Sequence, residues 1–176
     1  MCTNFDFLKS KSIFSSFSSS AVEAEKSLLV SPATCAILSR RAVELAIKWV
    51  YSFDNDLTVP YQDNISSLIH EPTFRQIIDP DLFPLIKYII KLGNTAVHTN
   101  ANITRDEAIL TLRNLHEVVK WIDYCYAEDY TCTDFDESIL LTGKKSVQDL
   151  LSFKTFMIDL VPKTNVWRKS VRRMKS

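Results

Sequence analysis

The stretch that decides the fold is "TRDEAILTLRNLHEVVKWIDYCYAED", residues 104–129. Ala108, Leu112, Leu115, Val119 and Ile122 follow at alternating spacings of four and three. That repeat lines one face of an α-helix and turns it toward a core. Asp106, Arg113, Glu117 and Lys120 fall on the opposite, solvated face. Thr104 and Glu107 have the spacing of a capping box, in which each side chain satisfies a backbone N–H that the first turn leaves unpaired. The stretch therefore predicts a long amphipathic helix, which is stable only when its apolar face is packed.

Partners for that face lie upstream. "SPATCAILSRRAVELAIKWVYSF" (31–53) begins with Ser31 as N-cap and Pro32 at the first helical position, where no N–H is needed. Cys35, Leu38, Ala42, Leu45, Ala46 and Trp49 form its apolar stripe. "DNDLTVPYQDN" breaks the helix, and "ISSLIH" and "PTFRQII" read as short helices. "DPDLFPLIKYIIKL" (79–92) is a further helix. "KSKSIFSSFSSSAVEAEKSLL" (9–29) starts as a serine-rich loop over 9–16 and continues as a helix over about 17–28. The expected organisation is all-α: a flexible segment over 1–16, a helical bundle over 17–126, and an extension over 127–176. That extension opens with the acidic "EDYTCTDFDESILL", expected to be extended, regains helical spacing in "SVQDLLSFKTFMIDLV" and ends in a basic tail.

Composition narrows the function. The 176 residues fit one domain, and 46% hydrophobic residues suffice for a core. Lys plus Arg equals Asp plus Glu at 21 each, so the chain lacks the overall basic excess of a dedicated nucleic-acid binder. The apolar stretches are interrupted by lysines and fall short of the roughly 20 residues a membrane span needs. "MCTNFDFLKS" is not a signal peptide. Cys2, Cys35, Cys125 and Cys132 form no C-x-x-C pair and no zinc-ligand spacing. Reduced thiols in a cytoplasmic protein are expected, two of them filling the core. No metal and no cofactor is expected.

Several chemistries fail on spacing. "TGKKS" (142–146) lacks the upstream glycine of a P-loop and has Lys145 where Ser or Thr belongs. With only two glycines, the G-x-G-x-x-G dinucleotide fingerprint is impossible. No G-x-S-x-G elbow occurs. His116 and Glu117 have no second histidine for H-E-x-x-H, and His116 reads as a histidine at the core boundary.

What remains is a polar constellation. Arg40 and Glu44 lie one turn apart on one helix. In "KLGNTAVH" (91–98), Lys91, Asn94 and His98 share an edge if the chain stays helical past Gly93. A structural role makes Arg40 and Glu44 a surface pair and Gly93 a point of close helix approach. A functional role makes His98 a general acid/base, with Lys91 or Arg40 holding a phosphate or developing anion.

"NFDFL" (4–8), "SPATCAILSRRAVE" (31–44) and "KLGNTAVHTNANITRDEAILTLRNLHEVVKWIDYCY" (91–126) resemble, in order and spacing, the helical domain of unknown function at the N-terminus of type I restriction enzyme R subunits. That domain also occurs as a stand-alone protein and is similar to the HEPN class of prokaryotic defence and toxin domains. The resemblance covers roughly residues 4–126. It matches Pro32 and Thr34, Arg40 and Glu44, and Gly93, Asn94, Ala96, Val97 and His98.

The resemblance implies a HEPN-like bundle. In ribonuclease members of the wider class an arginine precedes the histidine and the pair acts across a dimer interface. Here Lys91 stands in that place and lacks the planar fork that grips phosphate. No ATPase or nuclease core of a full R subunit is present, so a fragment or a stand-alone relative is expected, without ATP hydrolysis or DNA cleavage.

Three roles follow. One is a non-catalytic interaction domain whose protein partners are restriction-modification subunits or a second copy of itself. Another is a ribonuclease or toxin using His98, Lys91 and Asn94 in a dimer cleft. The last is weak nucleic-acid contact through Arg168, Lys169, Arg172, Arg173 and Lys175.

Overall fold

A computed structural model describes residues 2–99 and 101–141. Every regular element among them is helical, so the fold is all-α. The helices are α1 (Asp6–Lys9), α2 (Ser15–Ser27), α3 (Pro32–Phe53), α4 (Ile65–His70), α5 (Pro72–Ile77), α6 (Leu82–His98), α7 (Arg105–Tyr126) and α8 (Ser138–Leu141), with a 3-10 turn over Ser12–Phe14. The expected helix near 147–160 and the basic cluster of Arg168, Lys169, Arg172, Arg173 and Lys175 lie outside the described residues.

α3 is the central element and packs against α2, α6 and α7. Its sequence explains the position. Ala36, Ser39, Ala42, Val43 and Ala46 are small or medium side chains, all buried, and they let three neighbours approach one helix. Both expected caps form. Thr34 N–H donates to Ser31 Oγ at 3.3 Å. Glu107 N–H donates to Thr104 Oγ1 at 3.2 Å, and Thr104 N–H donates back to Glu107 Oε2 at 2.8 Å. Ala108, Leu112, Leu115, Val119 and Ile122 all have 0% exposure, as their periodicity requires.

Some expectations differ from the structure. His116 is fully buried at 0% exposure rather than at the core boundary. The edges of Phe5, Phe7 and Phe135 surround its ring at centroid distances of 5.9, 5.6 and 5.7 Å. These residues are remote in sequence, so the periodicity of α7 carries no sign of them. Only Cys35 among the four cysteines is buried; Cys2, Cys125 and Cys132 are exposed.

The segment read as a flexible lead-in places Phe5, Leu8 and Phe14 in the core at 0% exposure. Asn4 holds that segment in place. Its backbone N–H donates to both carboxylate oxygens of Glu25 at 3.2 and 3.1 Å. Its side chain donates to Asp136 O at 3.2 Å and accepts from Asp136 N–H at 2.7 Å. A buried ion pair adds to this: Lys11 Nζ lies 2.5 Å from Asp123 Oδ1 on α7.

Candidate functional site

Gly93 lies inside α6, which continues without interruption to His98. It is buried where α6 crosses α3. A Cβ placed on Gly93 would lie 2.5 Å from Arg40 Cβ, 2.9 Å from Arg40 Cδ and 3.0 Å from the Ala36 carbonyl oxygen. The glycine is needed for close approach of two helices and not for an unusual backbone angle, since no residue among those described has positive φ.

The structure disperses the rest of the constellation. Arg40 packs its aliphatic stem on Gly93, and its Nε is buried without a hydrogen-bond partner. Glu44 pairs with Lys48 at 3.4 Å, not with Arg40, and Lys48 reaches on to Asp63 at 3.3 Å. Partial burial alone would lower the Lys48 ammonium; the carboxylates of Asp63 and Glu44 outweigh it and hold its pKa above the usual lysine value. His98 is exposed in the last turn of α6. No hydrogen bond or ion pair among the described residues joins Arg40 to Asn94 or Glu44 to His98.

Lys91 and Asn94 do meet in a cavity, an open cleft of about 340 Å3 between α4 and α6. The histidine that lines it is His70, not His98. Asn64 starts α4 by accepting from Ser67 N–H at 2.9 Å. Glu71 ends it in an extended conformation ahead of Pro72, as a residue before proline favours. His70 Nδ1 donates to Ser66 O at 2.7 Å. Its ring stands at 90° to Phe83, centroid to centroid 5.4 Å. The Arg75 guanidinium sits 3.5 Å from the Phe83 centroid and the Lys87 ammonium 5.7 Å from it. Lys87 also lines the cleft, while no carboxylate does.

The neighbouring Glu71 is engaged elsewhere. It accepts from the Thr73 hydroxyl and from the N–H groups of Thr73 and Phe74, which cap α5. Those donors, the Thr73 hydroxyl foremost, hold its carboxyl below the usual range.

Three buried groups with shifted pKa values lie away from this cleft. Burial pushes Glu25 up to about 7 even though Asn4 donates to it. The void beside Glu25 holds only about 10 Å3, space for about one water and not for a substrate. Burial pushes the Cys35 thiol up to about 12, which makes it a poor nucleophile. Burial also lowers the pKa of His116, and neither ring nitrogen has a hydrogen-bond partner. These three are core groups without access to a ligand.

Among the described residues, no group of His, Cys, Asp and Glu is placed to hold a metal ion. No helix among them is long and apolar enough to cross a membrane. A family model described as a domain of unknown function (DUF4145) matches residues 22–149. No curated protein and no solved structure matches the chain.

Proposed function

Since the chain belongs to the family described as a domain of unknown function (DUF4145), we propose that it is a non-catalytic helical interaction domain. In this reading it is a HEPN-like relative of the N-terminal domain of type I restriction R subunits, working in prokaryotic defence. The observation that carries the reading is the contact between Gly93 and Arg40. Two of the residues that define the resemblance serve the α3–α6 crossing. Glu44, a third, is occupied by Lys48. A site for acid/base chemistry instead gathers its groups within hydrogen-bond reach of one another.

The partner class follows from the resemblance: the modification and specificity subunits of a type I system. Co-expression with those two subunits tests it. The reading expects the chain to co-elute with their complex on size-exclusion chromatography. Separate elution of the chain from an intact modification–specificity complex would overturn that assignment.

A ribonuclease reading draws on one observation of its own. α6 is continuous from Lys91 to His98, so the two stand about two turns apart on one face. It requires RNA cleavage that depends on His98.

A further inference from the structure

We propose that a second cleft, between the start of α6 and the second half of α7, holds an organic cation: an ammonium group carried on alkyl carbon. The inference goes beyond the partner assigned above and stands independently of it. Trp121, Tyr124 and Tyr130 line an open pocket of about 240 Å3 there. Trp121 and Tyr124 are one turn apart on α7, and Tyr130 reaches the pocket from the segment that follows. The Tyr124 and Tyr130 rings stand at 85° with centroids 5.2 Å apart, so they form two walls at nearly a right angle. Both stay open to a ligand, Tyr124 at 68% exposure and Tyr130 at 37%. An aromatic face carries negative charge density, and an ammonium set among several rings is held by it.

The charges beside the rings fix the sign of the ligand. Asp79, Asp81 and Glu117 line the same pocket. None of them pairs with a lysine or arginine among the described residues. Asp81 occupies the N-cap of α6, yet its side chain makes no capping hydrogen bond, so that carboxylate is not spent on the helix. His116 Nδ1 lies 3.8 Å from Glu117 Oε1. Burial lowers the His116 pKa, and a neutral ring is no counter-charge. Lys120 is the basic residue of the lining, but its ammonium lies 3.2 Å from Asp134, which stands outside the lining. The balance favours a cation and opposes an anion.

Size and the rings narrow the cation. The volume of about 240 Å3 falls below the roughly 300–1,000 Å3 of sites for larger ligands and suits a headgroup. Aromatic walls reward the carbon around an ammonium, a gain that a bare metal ion does not offer. Two sources present this chemistry: a free quaternary ammonium compound and the lysine side chain of a protein.

Isothermal titration of the full chain compares choline with dimethylbutanol, its uncharged isostere in which carbon replaces nitrogen. Choline should bind and the isostere should not. Tyr124→Ala and Asp81→Asn lie at exposed positions, so the variants retain the fold, which circular dichroism checks. Each should weaken choline by about two- to fivefold, the size of one exposed cation–π contact or surface ion pair. Tyr61→Ala, a fully exposed tyrosine between α3 and α4, should leave it unchanged. A parallel titration with N-acetyl-lysine amide, beside the norleucine analogue, separates the sources. Tighter binding of the lysine derivative assigns the cation to a protein side chain, and tighter binding of choline to a free compound; either upholds the site.

Equal binding of choline and its isostere overturns the proposal. So does unchanged affinity in the folded Tyr124→Ala/Asp81→Asn double variant, or no binding of any cation at millimolar concentration.

Discussion

Gly93 and Arg40 meet where α6 crosses α3, and a methyl group at position 93 would lie 2.5 Å from Arg40 Cβ. That atom is fixed to the α3 backbone, so rotating the arginine side chain cannot relieve the overlap. The helices would have to separate. Gly93→Ala should therefore destabilise the fold by about 1–3 kcal/mol, the cost of overpacking, despite the roughly 1 kcal/mol by which alanine outranks glycine in a helix. Chemical denaturation of Gly93→Ala and of Gly93→Ala/Arg40→Ala measures this. The second variant should recover little, because it keeps the Cβ.

Lys11 and Asp123 form a buried ion pair at 2.5 Å, with side chains 6% and 0% exposed. Asp123 Oδ2 has no hydrogen-bond partner. Removing the lysine leaves a buried carboxylate whose nearest cation is gone. Lys11→Met should cost about 3–5 kcal/mol, whereas Lys11→Met/Asp123→Leu should cost markedly less, because no charge is then stranded. Urea midpoints for the two variants check the difference. Equal losses would mean the pair is not the determinant.

Glu25 and His116 shift in opposite directions, and stability should follow both. Burial raises the Glu25 carboxyl from 4.5 to about 7, so between those values the folded state holds more protons than the unfolded state. Its contribution is fully present below pH 4.5 and lost as pH rises through 7, with an upper limit on the order of 3 kcal/mol. Burial lowers His116 from 6.5, so its contribution is present above pH 6.5 and lost as pH falls through its folded value. The two effects oppose each other in mildly acidic solution. Glu25→Gln should raise stability at pH 8 and steepen the acid loss, while His116→Phe should blunt that loss. Thermal unfolding from pH 5 to 8 separates them.

Thr104 closes the capping box of α7 through hydrogen bonds of 2.8 and 3.2 Å. Thr104→Ala should cost about 1 kcal/mol, and Thr104→Ser should restore most of it. A thermal shift of the three proteins side by side is sufficient.

The parts of the fold legible in the sequence are those set by neighbours along the chain. The caps at Ser31 and Thr104 and the stripe from Ala108 to Ile122 are local patterns, and the structure has them. Glu44 pairs with Lys48 and not with Arg40, the partner expected from the sequence. Glutamate four residues before lysine is the favoured order on a helix, which points to Lys48 rather than Arg40. The enclosure of His116 by Phe5, Phe7 and Phe135 was not legible, nor was the hold of Asn4 on Glu25 and Asp136, because their partners are distant in the chain. The cleft was half legible. Lys91 and Asn94 stood out beside Gly93, but His70 reaches them only through the packing of α4 near α6. Its one local signal was its place at the end of a short helix ahead of Glu71 and Pro72.

The most direct test of a non-catalytic role is cleavage of labelled single-stranded RNA by the purified chain, beside a His98→Ala variant shown to be folded. His98 is exposed, and its side chain has no hydrogen bond or ion pair with any described residue, so the comparison isolates chemistry. The same cleavage is expected in both samples, equal to that of buffer alone. Cleavage by the chain that disappears in the folded variant would contradict it.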